Sequence, residues 1–172
     1  MIRDTLRLWD LALCTRCNRV LRFGSLHRLF RWVSRLGDGL FWYLLMLALL
    51  LADGARAVGP VLHMILVGIA CTVIYKWLKS RTLRPRPYQV PGAPVRAGAD
   101  PLDAFSFPSG HTLHAVAFSL VAIGYYPALV WVLAPFAFLV ATSRLVLGLH
   151  YPSDVLAGVG LGALVASISF RI

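Results

Sequence analysis

Three short groups of residues in this chain could carry chemistry. Lys79 is followed seven residues later by Arg86-Pro87, then comes Pro108-Ser109-Gly110-His111, and then Ser143-Arg144 leading to His150 and Asp154. Together they gather three fixed cations, two histidines and one carboxylate in a chain that is otherwise mostly apolar. A phosphate ester brings negative charge that fixed cations stabilise, more strongly as charge moves onto the equatorial oxygens during transfer. Arg86 and Arg144 can each offer a planar fork to two oxygens, with Lys79 as a point charge. Ser109 and Gly110 stand just before an apolar helix, where free backbone N–H groups and the helix dipole favour an anion.

The remaining groups fit the roles that breaking such an ester needs. His150 can attack phosphorus through a neutral ring nitrogen. Asp154 lies one turn along a helix that Pro152 would start, and from there it can accept the other ring N–H. His111, when protonated, can give its proton to the departing alkoxide and then activate water against a phosphohistidine. Taken singly, His150 or Lys79 reads as a boundary residue that satisfies local polar groups or snorkels. That reading does not predict three groups of complementary chemistry.

The elements that must position these residues follow from hydropathy. A chain of 172 residues is about one domain. With 59% hydrophobic residues and a mean hydropathy of +0.73, it reads as an integral membrane protein. Apolar runs cover residues 40–52, 58–78, 112–126, 128–148 and 155–170. The first is short for a span, since about 20 residues are normally needed. The expected fold is all-α, an integral membrane bundle of about five transmembrane helices plus an N-terminal amphipathic interfacial arm.

One domain over residues 1–172 divides into the arm, 1–35, and a catalytic bundle, 36–172. The arm alternates Arg3, Arg7, Arg16, Arg19, Arg22, Arg28, Arg31 and Arg35 with leucine, phenylalanine and tryptophan, the pattern of helices lying in the headgroup plane. It lacks the apolar core and small-residue cleavage site of a secretory signal. Gly37-Asp38-Gly39 is expected to break the chain before the first apolar run, and Asp53-Gly54 to mark a tight turn. The proline-rich stretch 80–107 is long enough to serve as an active-site loop that covers the site in part.

Five spans place the chemistry on one side. Lys79 and Arg86 follow the end of the second run, His111 opens the third, Arg144 closes the fourth, and His150 with Asp154 opens the fifth. All four points share a membrane face. Of the 17 Lys and Arg residues, only Arg56 and Arg171 fall opposite, leaving 15 on the site's side. The positive-inside rule therefore directs the site toward the cytoplasm of a bacterial inner membrane. Without Lys79, Arg86 and Arg144, which the chemistry itself demands, the imbalance is still 12 to 2.

In order and in spacing, Lys79-x6-Arg86-Pro87, Pro108-Ser109-Gly110-His111 and Ser143-Arg144-x5-His150-x3-Asp154 resemble the three signature motifs of the type 2 phosphatidic acid phosphatase superfamily. That family includes membrane lipid phosphatases, soluble acid phosphatases and vanadium haloperoxidases. The resemblance covers residues 79–154. It implies a helical bundle, a phosphohistidine intermediate and no metal or other cofactor. It also implies Lys79, Arg86, Ser109, Gly110 and Arg144 as phosphate ligands, with His111, His150 and Asp154 as the catalytic group. Two features depart from the family pattern. Membrane members typically have six spans, and many bacterial members acting on lipid carriers work on the periplasmic face.

Other residues fit less central roles. His114, one turn beyond His111, could share the pocket or be a buried, hydrogen-bonded histidine. Arg84 and Arg81 could widen the positive field for a diphosphate or headgroup, or simply meet lipid. His63 and His27 read as structural. Cys14 and Cys17 form a lone CxxC with no second pair, so they are not expected to hold zinc. All seven acids are aspartates, too few for a two-metal site. Gly158 and Gly162 let another helix approach closely, most simply within the monomer.

The expected partners are a membrane lipid phosphate and the bilayer, not nucleic acid. Candidate substrates are a polyprenyl phosphate or diphosphate, phosphatidylglycerophosphate and phosphatidic acid. A phosphotransferase using the same histidine is the alternative enzyme, and a lipid transporter or flippase the alternative class. Membrane spans argue against a haloperoxidase.

Overall fold

The computed structural model describes the backbone of residues 2–172 and the side chains from Leu8 onward. The expected arm positions Arg3, Leu6 and Arg7 lie outside the described side chains. Seven α-helices follow one another: α1 (Ile2–Asn18), α2 (Gly24–Arg35), α3 (Phe41–Asp53), α4 (Val58–Thr82), α5 (Gly110–Tyr125), α6 (Val130–Val146) and α7 (Pro152–Ser169). No strand occurs among the described residues.

Helices α3 to α7 match the five apolar runs and alternate in direction. Near the start of α3, Asp38 meets His111 at the start of α5. At the far end Asp53 accepts from the Tyr126 hydroxyl at 3.1 Å, and His63 of α4 sits between Tyr125 (3.0 Å) and Ser169 (2.7 Å). The outer surface is apolar: Trp131 is 84% exposed and Phe138 71%, as expected of side chains that meet lipid rather than water. Among the described residues three helical stretches, 24–89, 127–146 and 152–169, are long and apolar enough to cross a membrane, and the first contains both α3 and α4. Helices α3 and α5, of 13 and 16 residues, rise about 20 and 24 Å at 1.5 Å per residue.

The expected break at Gly37-Asp38-Gly39 occurs: Gly39 leaves helical geometry at φ 140°, a value that glycine tolerates far better than other residues. The kink it makes between α2 and α3 presents Asp38 to His111.

The arm also differs from a free interfacial helix. Helix α1 packs on the site end of the bundle. Cys14 is fully buried, and Asn18 clamps the backbone of Arg96 and Val146 through three hydrogen bonds of 2.8–3.0 Å. Helix α2 better keeps the expected amphipathic form, exposing Leu26, Leu29 and Trp32.

Helices α5 and α7 pack almost backbone to backbone. A Cβ at Gly158 would lie 2.7 Å from the Ser109 carbonyl oxygen, and one at Gly162 would lie 2.5 Å from that of Leu113. The two small residues one turn apart thus serve packing within the monomer. Gly160, on the other face, meets nothing within 4 Å. Gly162→Ala is expected to cost about 1–3 kcal/mol, because backbone cannot move aside as a side chain can. Gly160→Ala should be neutral or stabilising by up to about 1 kcal/mol. Thermal unfolding of both variants in the same detergent checks the pair, and equal melting temperatures would contradict this packing.

Candidate active site

The α5–α7 contact brings two of the three residue groups together. The Ser109 N–H donates to the Asp154 carbonyl at 3.0 Å, so the start of α5 is tied to the start of α7. Pro152 opens α7 as expected, and Tyr151 caps it, with the Tyr151 N–H donating to the Asp154 carboxylate at 2.9 Å. Before that, Gly148 reverses the chain at φ 68°. A Cβ there would strike the Arg96 carbonyl oxygen at 2.6 Å. This turn sends the chain from Arg144, at the end of α6, straight to His150.

His150 is 1% exposed. Its Nδ1 lies 2.6 Å from the Ser106 carbonyl oxygen, which can only accept, so Nδ1 carries the proton and Nε2 keeps its lone pair. This corrects the expected partner. The Asp154 carboxylate stands 3.7 Å from Nδ1, beyond hydrogen-bond range. Burial first, then the nearby Arg144, Arg86 and Lys79 charges, hold His150 well below its ordinary value. The ring is therefore neutral at neutral pH.

Lys79, Arg86 and Arg144 line one cavity with His150, His111 and Gly110. Arg86 approaches His150 Nε2 at 3.4 Å and donates to the Leu149 carbonyl at 2.7 Å. Arg144 is 2% exposed; it donates to Ser34, while its buried Nε finds no acceptor among the described residues. Helix α5 points its first-turn amides, which have no intrahelical acceptors, toward the same end. Gly110 lines the cavity. Ser109 does not: its N–H is spent on Asp154, and its hydroxyl pairs with Thr112 at 3.0 Å. The expected phosphate contact from Ser109 is thus replaced by a role in joining α5 to α7.

The two secondary candidates also resolve. His114 lines the cavity wall, but both its nitrogens meet protein groups, Gly110 O at 2.9 Å and Thr72 Oγ1 at 3.1 Å. It ties α5 to α4. Arg84 points away from the cavity and is held by Asp10 and Asp154, each at 2.7 Å. Those two carboxylates balance its charge, so it does not widen the phosphate field. Burial pushes the Cys14 thiol up to about 12. Its Sγ donates to the His150 carbonyl at 3.7 Å, a packing role.

Three site residues were not legible in the motifs. Asp38 bonds His111 Nε2; burial and the nearby Arg144 push His111 down to about 4, and the Asp38 carboxylate works against that shift without reversing it. Ser106 receives the His150 proton. Asp103, from the proline-rich loop, accepts both from Lys79 at 2.7 Å and from Arg86 at 2.9 Å. Burial would raise its carboxyl, but the paired Lys79 and Arg86 outweigh that and hold it below its usual range. The signals were faint: an aspartate between two glycines at the arm boundary, and an aspartate and a serine close before Pro108. From the same loop, Leu102, Asp103, Ala104 and Phe105 line the cavity.

Fold, apolar surface and a buried cation-lined cavity define a class of membrane-embedded helical proteins, and the comparisons with known proteins give its chemistry, hydrolysis of lipid phosphates. A model of the PAP2 superfamily matches residues 57–172, and the chain belongs to that superfamily. Undecaprenyl-diphosphatase of Sulfolobus acidocaldarius is 27% identical over 153 residues, covering 88% of this chain and 72% of that protein. Undecaprenyl-diphosphatase BcrC of Bacillus subtilis is 31% identical over 130 residues, covering 74% of this chain and 65% of its own. Among solved structures, Aquifex aeolicus LpxE has a TM-score of 0.82 at 28% identity, over 95% of this chain and 96% of that one. The PAP2 type phosphatidylglycerolphosphate phosphatase of Bacillus subtilis shares the fold, with a TM-score of 0.77 at 24% identity, over 98% of this chain and 86% of that one.

Two outcomes are expected from this geometry. A phosphate group must take Lys79 and Arg86 from Asp103, so Asp103→Asn should tighten inhibition by vanadate about fivefold, the equivalent of about 1 kcal/mol for a half-exposed pair. Unchanged inhibition would show that Asp103 does not compete. His150 stays neutral down to a pH below the usual imidazole value of 6.5, so the acid limb of kcat/KM should lie below that pH. A limb centred at or above it would contradict the neutral, cation-flanked ring.

Proposed function

We propose that the chain hydrolyses a polyprenyl phosphate or diphosphate through a phosphohistidine on His150, at the cytoplasmic face of a bacterial inner membrane. One observation carries the reading of the substrate. A single cavity of about 920 Å³ joins the three cations and His150 to an apolar wall that includes Trp42, Met46, Ile65, Ile69, Val73 and Phe118. A charged head and a hydrocarbon tail fit such a space together, and a soluble phosphate ester would leave its apolar half unused. Relatives named for polyprenyl substrates support a polyprenyl tail, although phosphatidylglycerophosphatase B of Haemophilus influenzae is also similar, 37% identical over 76 residues. Besides the two undecaprenyl-diphosphatases, decaprenylphosphoryl-5-phosphoribose phosphatase of Mycobacterium tuberculosis is 40% identical over 77 residues, 43% of this chain.

In the proposed reaction, His150 Nε2 attacks phosphorus opposite the leaving oxygen. Arg86, Arg144, Lys79 and the first-turn amides of α5 bear the equatorial charge. The Ser106 carbonyl keeps the Nδ1 proton in place, and the Asp154 carboxylate offsets the positive charge that the ring gains. His111, supported by Asp38, passes its proton to the leaving alkoxide or phosphate, then takes one from the water that cleaves the P–N bond. The cytoplasmic orientation is supported by the 15-to-2 distribution of basic residues, the site end of the bundle carrying the excess.

Purified protein in excess chelator should release inorganic phosphate from polyprenyl substrates, and His150→Ala should not. Acid-labile, base-stable labelling of His150 by a ³²P substrate should accompany turnover. Release that depends on an added acceptor lipid would convert the reading to phosphotransfer. Lipid movement that survives His150→Ala without any phosphate release would convert it to transport.

A further inference from the structure

Behind His150 runs a row of polar residues of which the proposed reaction uses only the first, Asp154. Asp154 is fully buried. One of its oxygens accepts the Tyr151 N–H at 2.9 Å and lies 3.7 Å from His150 Nδ1, while the other accepts from Arg84 at 2.7 Å. Arg84 in turn donates to Asp10 of α1 at 2.7 Å and to the Ser153 hydroxyl at 2.7 Å, with its guanidinium 4.0 Å over the Tyr151 ring. Asp10 completes the row. It accepts the Ser153 N–H, in the first turn of α7, at 2.9 Å, and the Ser153 hydroxyl as well.

Charges alternate along this row: Asp10 negative, Arg84 positive, Asp154 negative, and His150 turning positive when it takes the phosphoryl group. We infer that Asp10, on the N-terminal arm, is a positioning residue of the reaction, acting on His150 through Arg84 and Asp154. Two physical effects converge. By sharing Arg84, Asp10 reduces the pull of that cation on Asp154, whose charge is then more available to the phosphorylated imidazole. By accepting the Ser153 N–H at the positive end of α7, it holds the turn from which Asp154 projects. Asp10 touches neither the cavity nor any phosphate-binding cation. Substrate binding should therefore be indifferent to it, while the chemical step should not.

The inference rests on the phosphohistidine reading, and one experiment separates the two. Wild type, Asp10→Asn, Asp10→Glu and Asp10→Asn/Arg84→Gln are assayed for kcat, KM and melting temperature in one detergent. Asp10→Asn is near in size and can still hydrogen-bond Ser153, but it leaves Arg84 to Asp154 alone. It is expected to lower kcat roughly tenfold with KM unchanged. Asp10→Glu should recover part of that loss. The double variant should exceed Asp10→Asn in kcat, because the unbalanced cation is gone, a coupling of the kind a mutant cycle measures. Wild-type kcat in Asp10→Asn, or kcat that falls only in step with melting temperature and is not recovered in the double variant, would reduce Asp10 to an anchor for α1 and overturn the inference. Should Asp10→Asn fail to fold, Arg84→Lys takes its place: lower kcat at constant KM supports the row, and unchanged kcat overturns it. Absence of phosphate release by the wild type would refute the hydrolase reading instead.

Discussion

The site depends on how closely two helices can approach. With glycine at positions 158 and 162, α7 lies so near α5 that a single methyl group would strike a backbone carbonyl. That proximity lets the Ser109 N–H reach the Asp154 carbonyl, and so locks the start of one helix to the start of the other. His111 and the free amides of α5 then face the same space as His150, although about forty residues separate them in the chain. The turn at Gly148 brings Arg144 into the same space from α6. Larger residues at these glycines would move His150 away from the start of α5 before altering any other side chain of the cavity.

The second constraint is electrostatic. Arg86, Arg144 and Lys79 are nearly buried at a boundary with lipid, and like charges so placed repel one another and pay for lost hydration. The structure answers with few acids, each placed to serve. Asp103 neutralises Lys79 and Arg86 from the loop, Asp38 faces His111 from the kink, and Asp154 stands behind His150. His150 is the group that stays neutral. Surrounded by cations and sealed from water, its ring resists protonation, and the Ser106 carbonyl holds its proton on Nδ1. The cations that suit an anion thus also keep Nε2 free for the nucleophilic role proposed for it.

Much of the architecture was legible because it is written in local patterns. The five apolar runs became α3 to α7, Pro152 opened α7 where a helix-starting proline belongs, and the pair of small residues in α7 packed within the monomer. Gly37-Asp38-Gly39 read as a break, and Gly39 leaves helical geometry there. Less legible was where the arm rests: Cys14 and Asn18 of α1 are buried against the bundle. Arg84 read as meeting either a headgroup or lipid, and it pairs instead with Asp10, a residue more than seventy positions distant.

What the sequence by itself determined is the class of chemistry and its common side of the membrane. Both depend on residue type and on position relative to apolar boundaries, and those are local quantities. Tertiary structure decided the partnerships: Ser106 rather than Asp154 as acceptor of the His150 proton, Asp103 on the phosphate cations, Asp38 on His111, and Asp10 at the end of the row behind the nucleophile. Each of these contacts comes from a loop, a kink or an arm folding back over the site. Its occurrence depends on the path of the whole intervening chain, so no short stretch of sequence encodes it.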